Sequence, residues 1–437
     1  MISATSCLHT TARDVDLPAG LVDLLPHLNP SGTWIREGEG LIGLGVAAGT
    51  TAAGAGRFKE LAAYWESLLR SSSPHDASGP VALVSLTFSG ESESLSRLLV
   101  PEVLIRCAGG HTSLLVTTTH PEPAAQVLER HGLRLGQGGL LQPTGPAPAE
   151  AMPECRLRPG VQSERQYLSA IAAGLSAVHA GTVEKLVLAR DVVVTASSPL
   201  PSGRLLARLA TEYPQTWTYC VGGIPTATHT LLGATPEMLV RLRGHELSSR
   251  VLAGTIDRAR RTADLVHDAK QHREHELAVT SLLEQLRPVA EDLHSPTEPS
   301  VLALPNVYHL ASDITGKLTA DASGRLPTPL QVAEAAHPTA AVCGTPTTTA
   351  ADLIAHLEGM DRGPYAGPVG WIDAAGNADF GIALRGGVFE GEVSSTGGDT
   401  LRIFAGCGVV AGSEPESELA ETRIKLKPML WALGLEL

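Results

Sequence analysis

Two charged residues stand in apolar surroundings, where their chemistry would be altered. Lys185 opens the β-branched run KLVLARDVVVTA. An ammonium there would be partly desolvated, which moves it toward the range of a general base. Glu237 lies inside LLGATPEMLV, where burial would disfavour the carboxylate and make the group a proton donor near neutral pH. Each has a plainer reading as an ordinary strand-end charge, and their spacing in sequence does not show that they meet. Lysine is scarce, with six among the 33 basic residues: Lys59, Lys185, Lys270, Lys317, Lys425 and Lys427.

Two further segments concentrate carboxylates. In HDAKQHREHELAVTSLLEQL, helical spacing puts Lys270, Glu274 and Leu277 or Ala278 on one face, with His272, His275 and Glu276 on neighbouring faces. HREH lacks the His-Glu-x-x-His spacing of a zinc site. In GSEPESELAETRIKLKPML, Ser413 and Glu416 have capping-box spacing, with Pro415 in the first turn. Glu414, Glu418, Glu421 and Lys425 then fall on one stripe and Leu419, Leu426, Met429 and Leu433 on another. A solvated, salt-bridged outer face explains either segment. The preceding FAGCGVVAGS leads an apolar strand through glycines into a helix N-terminus, where free N–H groups can hold an anion. Carboxylates beside an anion site make sense if a hard cation such as Mg²⁺ joins them, since Mg²⁺ takes one or two carboxylates plus substrate oxygens and waters.

The rest of the chain has to position these groups. With 437 residues it can bury a large core, and 43% hydrophobic content describes a globular protein. The balance of 46 acidic against 33 basic residues, a net charge of −13, argues against nucleic acid, which needs clustered positive charge. No apolar run approaches the ~20 residues of a membrane span, and MISATSCLHTTARDVD has no signal-peptide pattern, so a cytoplasmic protein without membrane attachment is expected. The six cysteines are scattered and read as reduced thiols. The glycine-rich Leu41–Gly56 lacks the Lys-Ser/Thr of a phosphate loop and reads as a strand and a turn.

Residues 1–150 are less regular: an extended stretch near Trp34–Val46, a helix at Arg57–Arg70, and strand-like runs at Val81–Leu86 and Leu99–Ile105. Gly136–Glu154 reads as a long surface connection. Ser163 and Gln166 then open a helix to about Val178. Strands are expected at Thr216–Val221, Thr228–Leu232, Met238–Leu242 and Leu247–Leu252, followed by one long helix from about Thr262 to Leu293. The last third mixes helices (Leu330–Ala336, Ala350–Glu358) with strands (Val369–Ile372, Phe380–Leu384, Leu401–Phe404) and closes on a helix after Gly412. Strands in runs with turn-sized gaps favour an α+β chain with antiparallel sheets over a βαβ alternation.

Taken together, the stretches KLVLAR (185–190), LLGATPEMLVR (231–241), LAGTIDR (252–258), REHEL (273–277), HLASDITGKL (309–318), HPTAAVCGTP (337–346), DRGPYAGPVGW (361–371), IALR (382–385), and FAGCGVV with ELAETRIKLK (404–427) resemble the chorismate-utilising enzymes. That family includes isochorismate synthases, salicylate synthases and the large subunits of anthranilate and aminodeoxychorismate synthase. The likeness covers about residues 160–437, read as the chorismate-binding catalytic region, with 1–150 a weakly matched N-terminal part of the same fold. The implied fold is one large α+β domain of two antiparallel β-sheets packed face to face, with helices outside.

The resemblance also implies roles. Mg²⁺ would be held by Glu274 and Glu421, with Glu418 close by, because a dianionic substrate enters a site lined by carboxylates. Lys185 matches the base on the water attacking C2 of chorismate, and Glu237 the acid that protonates the departing C4 hydroxyl. Tyr365 and Arg385 match positions for the enolpyruvyl group and its carboxylate, with Gly406 and Gly408 offering backbone N–H groups. Lys425 matches a lysine near the metal-bound carboxylate, Gly254 lies beside the ring, Ala341 and Val342 line it, and His309 matches a family histidine. The amine-transferring members typically carry glutamine at the Lys185 position, so water is the expected nucleophile. HPTAAVCG and DRGPYAGPVGW look most like isochorismate synthases, although Ala340 replaces the second proline of HPTPAV. The expectation is a monomeric, Mg²⁺-dependent isochorismate synthase supplying downstream isochorismate-using enzymes of siderophore, salicylate or menaquinone synthesis. The alternatives are a salicylate synthase, which also eliminates pyruvate, and a chorismate-binding protein without turnover.

Overall fold

The β-branched run at Lys185 forms the strand Lys185–Ala196. It pairs antiparallel with Thr400–Val409, from Leu186 opposite Val409 to Thr195 opposite Thr400. In the computed structural model, which describes residues 7–72, 79–146, 151–224, 229–258, 261–305, 307–390 and 398–436, this pair belongs to a twelve-stranded antiparallel sheet. Next to Thr400–Val409 come Gly386–Glu390, Thr230–Thr235, Trp217–Val221 and Gly32–Arg36. A ten-stranded antiparallel sheet holds Val307–Leu318, Glu246–Asp257, Met238–Arg243, Ala378–Ile382, Pro368–Asp373 and Val81–Ser85 as successive neighbours.

The strands alternate inward and outward side chains, and the inward faces of the two sheets share one core: Trp34, Trp217 and Tyr219 from the first meet Leu83, Leu99 and Trp371 from the second. A second core covers the other face of the larger sheet, where Leu205, Leu206 and Leu209 of helix Ser202–Glu212 and Leu426, Met429 and Leu430 of helix Pro415–Ala432 lie on Val192, Val194, Leu401 and Ile403. The chain is therefore the expected α+β arrangement of two facing antiparallel sheets with helices outside. The first 150 residues are woven into both sheets: Gly32–Arg36 pairs with Trp217–Val221, and Val81–Ser85 with Pro368–Asp373.

Several local expectations change. The run Leu99–Ile105 is two strands, Ser96–Val100 and Val103–Ala108, which belong to different sheets. The break falls at Pro101, which has no N–H to give a ladder. Trp34–Val46 is a hairpin of Gly32–Arg36 and Glu39–Leu44, turned at Glu37 and Gly38 with φ of 54° and 81°. The Gly136–Glu154 connection contains the strand Leu141–Pro143; its residues 147–150 lie outside the described ones, as does residue 228 of the Thr228–Leu232 piece. The long helix after Thr262 is Thr262–Val266 and Ala269–Leu286, separated where the Asp268 side chain accepts from Lys270 N and Gln271 N and so caps the second. Residues 290–294, expected as helix, are the strand Ala290–His294. Ser163 and Gln166 form their capping box, but Ser413 and Glu416 do not: Glu414 is the N-cap of the last helix, and Ser413 Oγ accepts from Val410 N.

Candidate active site

A cavity opens between the two sheets. Val187, Phe404, Gly406 and Gly408 come to it from the larger sheet, Leu252, Ala253, Thr255 and His309 from the smaller, and Glu237 from the link between Thr230–Thr235 and Met238–Arg243. Glu274 and Lys425 reach it from the helices Ala269–Leu286 and Pro415–Ala432, and Ala341, Val342, Arg362, Tyr365 and Arg385 from connecting segments. Ten of the residues singled out in the sequence thus line one cavity: Glu237, Glu274, His309, Ala341, Val342, Tyr365, Arg385, Gly406, Gly408 and Lys425.

Lys185, Gly254, Glu418 and Glu421 lie just behind the lining. Lys185 is fully buried, and its Nζ lies 3.1 Å from Glu274 Oε1, without the alignment of a hydrogen bond. Gly408 makes the pairing possible: a Cβ at Gly408 would sit 2.3 Å from Glu274 Oε1 and 3.3 Å from Lys185 Cε. Gly254 is the bulge of strand Glu246–Asp257, at φ 77°, where a Cβ would sit 2.9 Å from Gln271 O. The bulge docks the Glu274 helix, because Thr255 N donates to Gln271 Oε1 (2.7 Å) and His275 Nδ1 donates to Ala253 O (3.1 Å). His275 and Gln271 therefore hold the helix in place.

Glu237 is buried, and burial pushes its carboxyl up to about 7, against the opposing pull of Lys185. His309 is buried and held neutral, well below the ordinary histidine range. Arg385 Nη2 lies 3.3 Å from His309 Nε2. Arginine only donates, so Nε2 accepts and Nδ1 carries the proton toward Thr255 Oγ1 at 2.9 Å. Arg385 has φ 50°, a strained conformation for a side-chain-bearing residue, and no carboxylate among the described residues pairs with it. A guanidinium so placed presents its donor fork to a planar anion. Tyr365 stacks on Phe404 with ring centroids 4.9 Å apart.

The three carboxylates proposed for the metal are each paired with a lysine: Glu274 with Lys185 (3.1 Å), Glu418 with Lys270 (2.7 Å), and Glu421 with Lys425 (2.6 Å). One side of the helix Pro415–Ala432 is exposed, at Glu416, Arg423 and Lys427, but the stripe from Glu418 to Lys425 turns inward; Glu418 is 2% exposed, and burial followed by the charge of Glu421 raises its pKa. Lys270 feels all three carboxylates, and Lys425 also donates to Gly406 O at 2.9 Å. No group of three or more His, Cys, Asp or Glu arranged to hold a metal occurs among the described residues. Carboxylates crowded closely enough that the charge of Glu421 raises Glu418 suit a hard cation that takes two carboxylates and completes its shell with substrate oxygens, and do not suit an all-protein cage.

The sequence profile of chorismate-binding enzymes matches residues 33–434. The chain belongs to the chorismate-binding enzyme family. Among characterised relatives, the isochorismate synthase DhbC of Bacillus subtilis is 37% identical over 287 residues, 63% of this chain and 69% of that protein. The isochorismate synthase EntC of Escherichia coli is 35% identical over 288 residues, 63% and 68% of the two chains. The crystal structure of MenF, the menaquinone-specific isochorismate synthase of Escherichia coli, superposes with a TM-score of 0.75 at 23% identity, covering 98% of this chain and 95% of that one. That last likeness carries the fold.

Several lining residues of this chorismate-binding enzyme had no role in the sequence reading: Val187, Thr255, Leu384, Phe404, Cys407 and Arg362. The apolar ones give no sequence signal that separates them from core. Arg362 had one: it follows Glu358 by four residues in otherwise apolar surroundings, the spacing of a helical ion pair.

Proposed function

We propose that this chorismate-binding enzyme is an isochorismate synthase. The observation that carries the reading is the approach of two buried groups to one cavity: Glu237, which lines it from the link between the two sheets with its carboxyl pushed up to about 7, and Lys185, whose Nζ lies 3.1 Å from the lining residue Glu274. The names of its 35–37% identical relatives support the same reaction.

Lys185 takes a proton from the water that attacks C2 of chorismate, both ring double bonds shift by one position, from C1–C2 to C6–C1 and from C5–C6 to C4–C5, and Glu237 gives its proton to the C4 hydroxyl, which leaves as water. One water enters and one departs, so the change is an isomerisation. Arg385, fixed by His309, holds the enolpyruvyl carboxylate together with Gly406 and Gly408, Tyr365 borders the enolpyruvyl group, and Gly254, Ala341 and Val342 border the ring. Mg²⁺ held by Glu274 and Glu421, beside Glu418, supplies the positive charge that lets a dianion enter a carboxylate-lined site. Lys425 then faces the ring carboxylate. The enzyme works as a cytoplasmic monomer feeding isochorismate-using enzymes of siderophore, salicylate or menaquinone synthesis. No helix among the described residues is long and apolar enough to cross a membrane.

Incubation of the purified protein with chorismate and Mg²⁺, with products resolved by chromatography, tests the reading. Isochorismate is expected as the early product. Salicylate with pyruvate would move the assignment to salicylate synthase, anthranilate formed with ammonia would remove the argument from Lys185, and tight binding without product would leave a binding protein. Glu274→Ala should weaken Mg²⁺ binding by about 100-fold or more in a calorimetric titration, given that lesser perturbations of metal sites cost 10–100-fold. Unchanged affinity would exclude Glu274 as a ligand.

A further inference from the structure

One edge of the Lys185–Ala196 strand is interrupted. Lys185 and Leu186 pair with Gly344–Thr345, and Val192–Ala196 with Cys155–Pro159, but among the described residues no strand lies between them. Backbone groups on a buried strand edge need partners. Val187 N donates to Cys343 O (2.8 Å), and the next two are taken by side chains. Ala189 N donates to Glu358 Oε1 (2.6 Å), and Arg362 Nη2 donates to Val187 O (2.8 Å).

The same two side chains form an ion pair, Arg362 Nε to Glu358 Oε2 at 2.9 Å and Nη2 to Oε1 at 2.5 Å, with exposures of 4% and 1%. Arg362 Nη1 donates to Val342 O (2.8 Å), and the guanidinium lies 4.4 Å from the centre of the Phe88 ring. One guanidinium thus bridges the strand that carries Lys185 and the segment that walls the cavity at Ala341 and Val342. Arg362 itself borders the cavity.

Stability alone is a poor reason for such a pair, since well-packed apolar residues commonly replace a buried ion pair without loss. We propose that Glu358 and Arg362 are a positioning pair for catalysis, an ionic substitute for a missing strand segment that fixes Lys185 relative to the Ala341–Val342 wall. The proposal rests on the isochorismate synthase reading. Val187 is two residues from Lys185 on the same strand face, so a shift at Val187 O moves the Lys185 side chain.

Two variants test it, with chorismate turnover, KM and thermal midpoint measured beside wild type. Arg362→Lys keeps the charge but cannot span Val187 O, Val342 O and both oxygens of Glu358. Glu358→Gln combined with Arg362→Met removes both charges and leaves no unpaired ion. Each is expected to lower kcat by about 10- to 100-fold with KM changed less than about threefold, the signature of misplaced reacting groups. The double variant should do so while remaining folded, with a thermal midpoint lowered because Val187 O and Val342 O lose their donor. A folded variant with kcat within about twofold of wild type would overturn the positioning role, and so would failure of both variants to fold, which would assign the pair to the fold. Absence of isochorismate from the wild-type protein would instead overturn the functional reading, so the two failures are distinguishable.

Discussion

Replacing Lys185 with Ala should reduce chorismate turnover by about 10²- to 10⁴-fold, the range that positioned general bases contribute. The Lys185 side chain is fully buried, its Nζ lies 3.1 Å from Glu274 Oε1, and it has no aligned hydrogen-bond partner among the described residues, so as the neutral amine it is free to accept a proton instead of being consumed by the fold. Chorismate binding, measured by calorimetry in the presence of Mg²⁺, should persist, because Arg385 and Lys425 are untouched. The substitution also leaves Glu274 without its partner, so the variant's thermal midpoint needs to be measured with its kinetics. Turnover within a few-fold of wild type in a folded variant would remove Lys185 from the role of base.

Glu237→Gln should be as severe, because an amide cannot protonate the departing hydroxyl; a loss of about 10²- to 10⁴-fold in kcat is expected with substrate binding retained. The wild-type pH profile gives an independent reading of the same group. The donor must be protonated, and burial places its pKa about 7, so kcat/KM of wild type should fall by one proton as pH rises through that value. The stability sign follows from linkage. The folded-state value lies above the ordinary 4.5, so the folded state binds the extra proton between about 4.5 and 7. This contribution is full below about 4.5 and is lost as pH rises through about 7, an amount of order 3 kcal/mol. The Gln variant lacks this pH-dependent term, so denaturant titrations of the two proteins at pH 5 and pH 8 should diverge. Parallel stability profiles would mean that Glu237 is not held as a neutral acid.

The α+β class was legible because alternating apolar runs separated by turn-sized gaps leave few other ways to bury one face of each strand. The site was legible to the extent that its residues carry charge in apolar company: Lys185, Glu237 and the glutamates of two helices. Arg362 shows where such reading stops. Its motif was recognised, yet nothing along the chain indicates that the strand edge at Val187–Ala189 lacks a neighbour and needs side chains to complete it. The Ser413–Glu416 spacing failed for a similar reason: a cap is a local offer, and at this helix the Ser413 hydroxyl is engaged by Val410 N and Glu418.

By itself the sequence determined which groups have chemistry to offer, through the types and apolar settings of Lys185 and Glu237, and in which order the elements follow. Only the tertiary structure decided that Glu237, Glu274 and Arg385 surround one cavity with Lys185 behind Glu274, and that the three candidate metal carboxylates are each paired with a lysine. The physical reason is range. Propensity and periodicity act over a turn or a strand, whereas a pKa, an ion pair or a completed sheet edge depends on whatever distant segment packs alongside, and that is set by the topology of the two sheets.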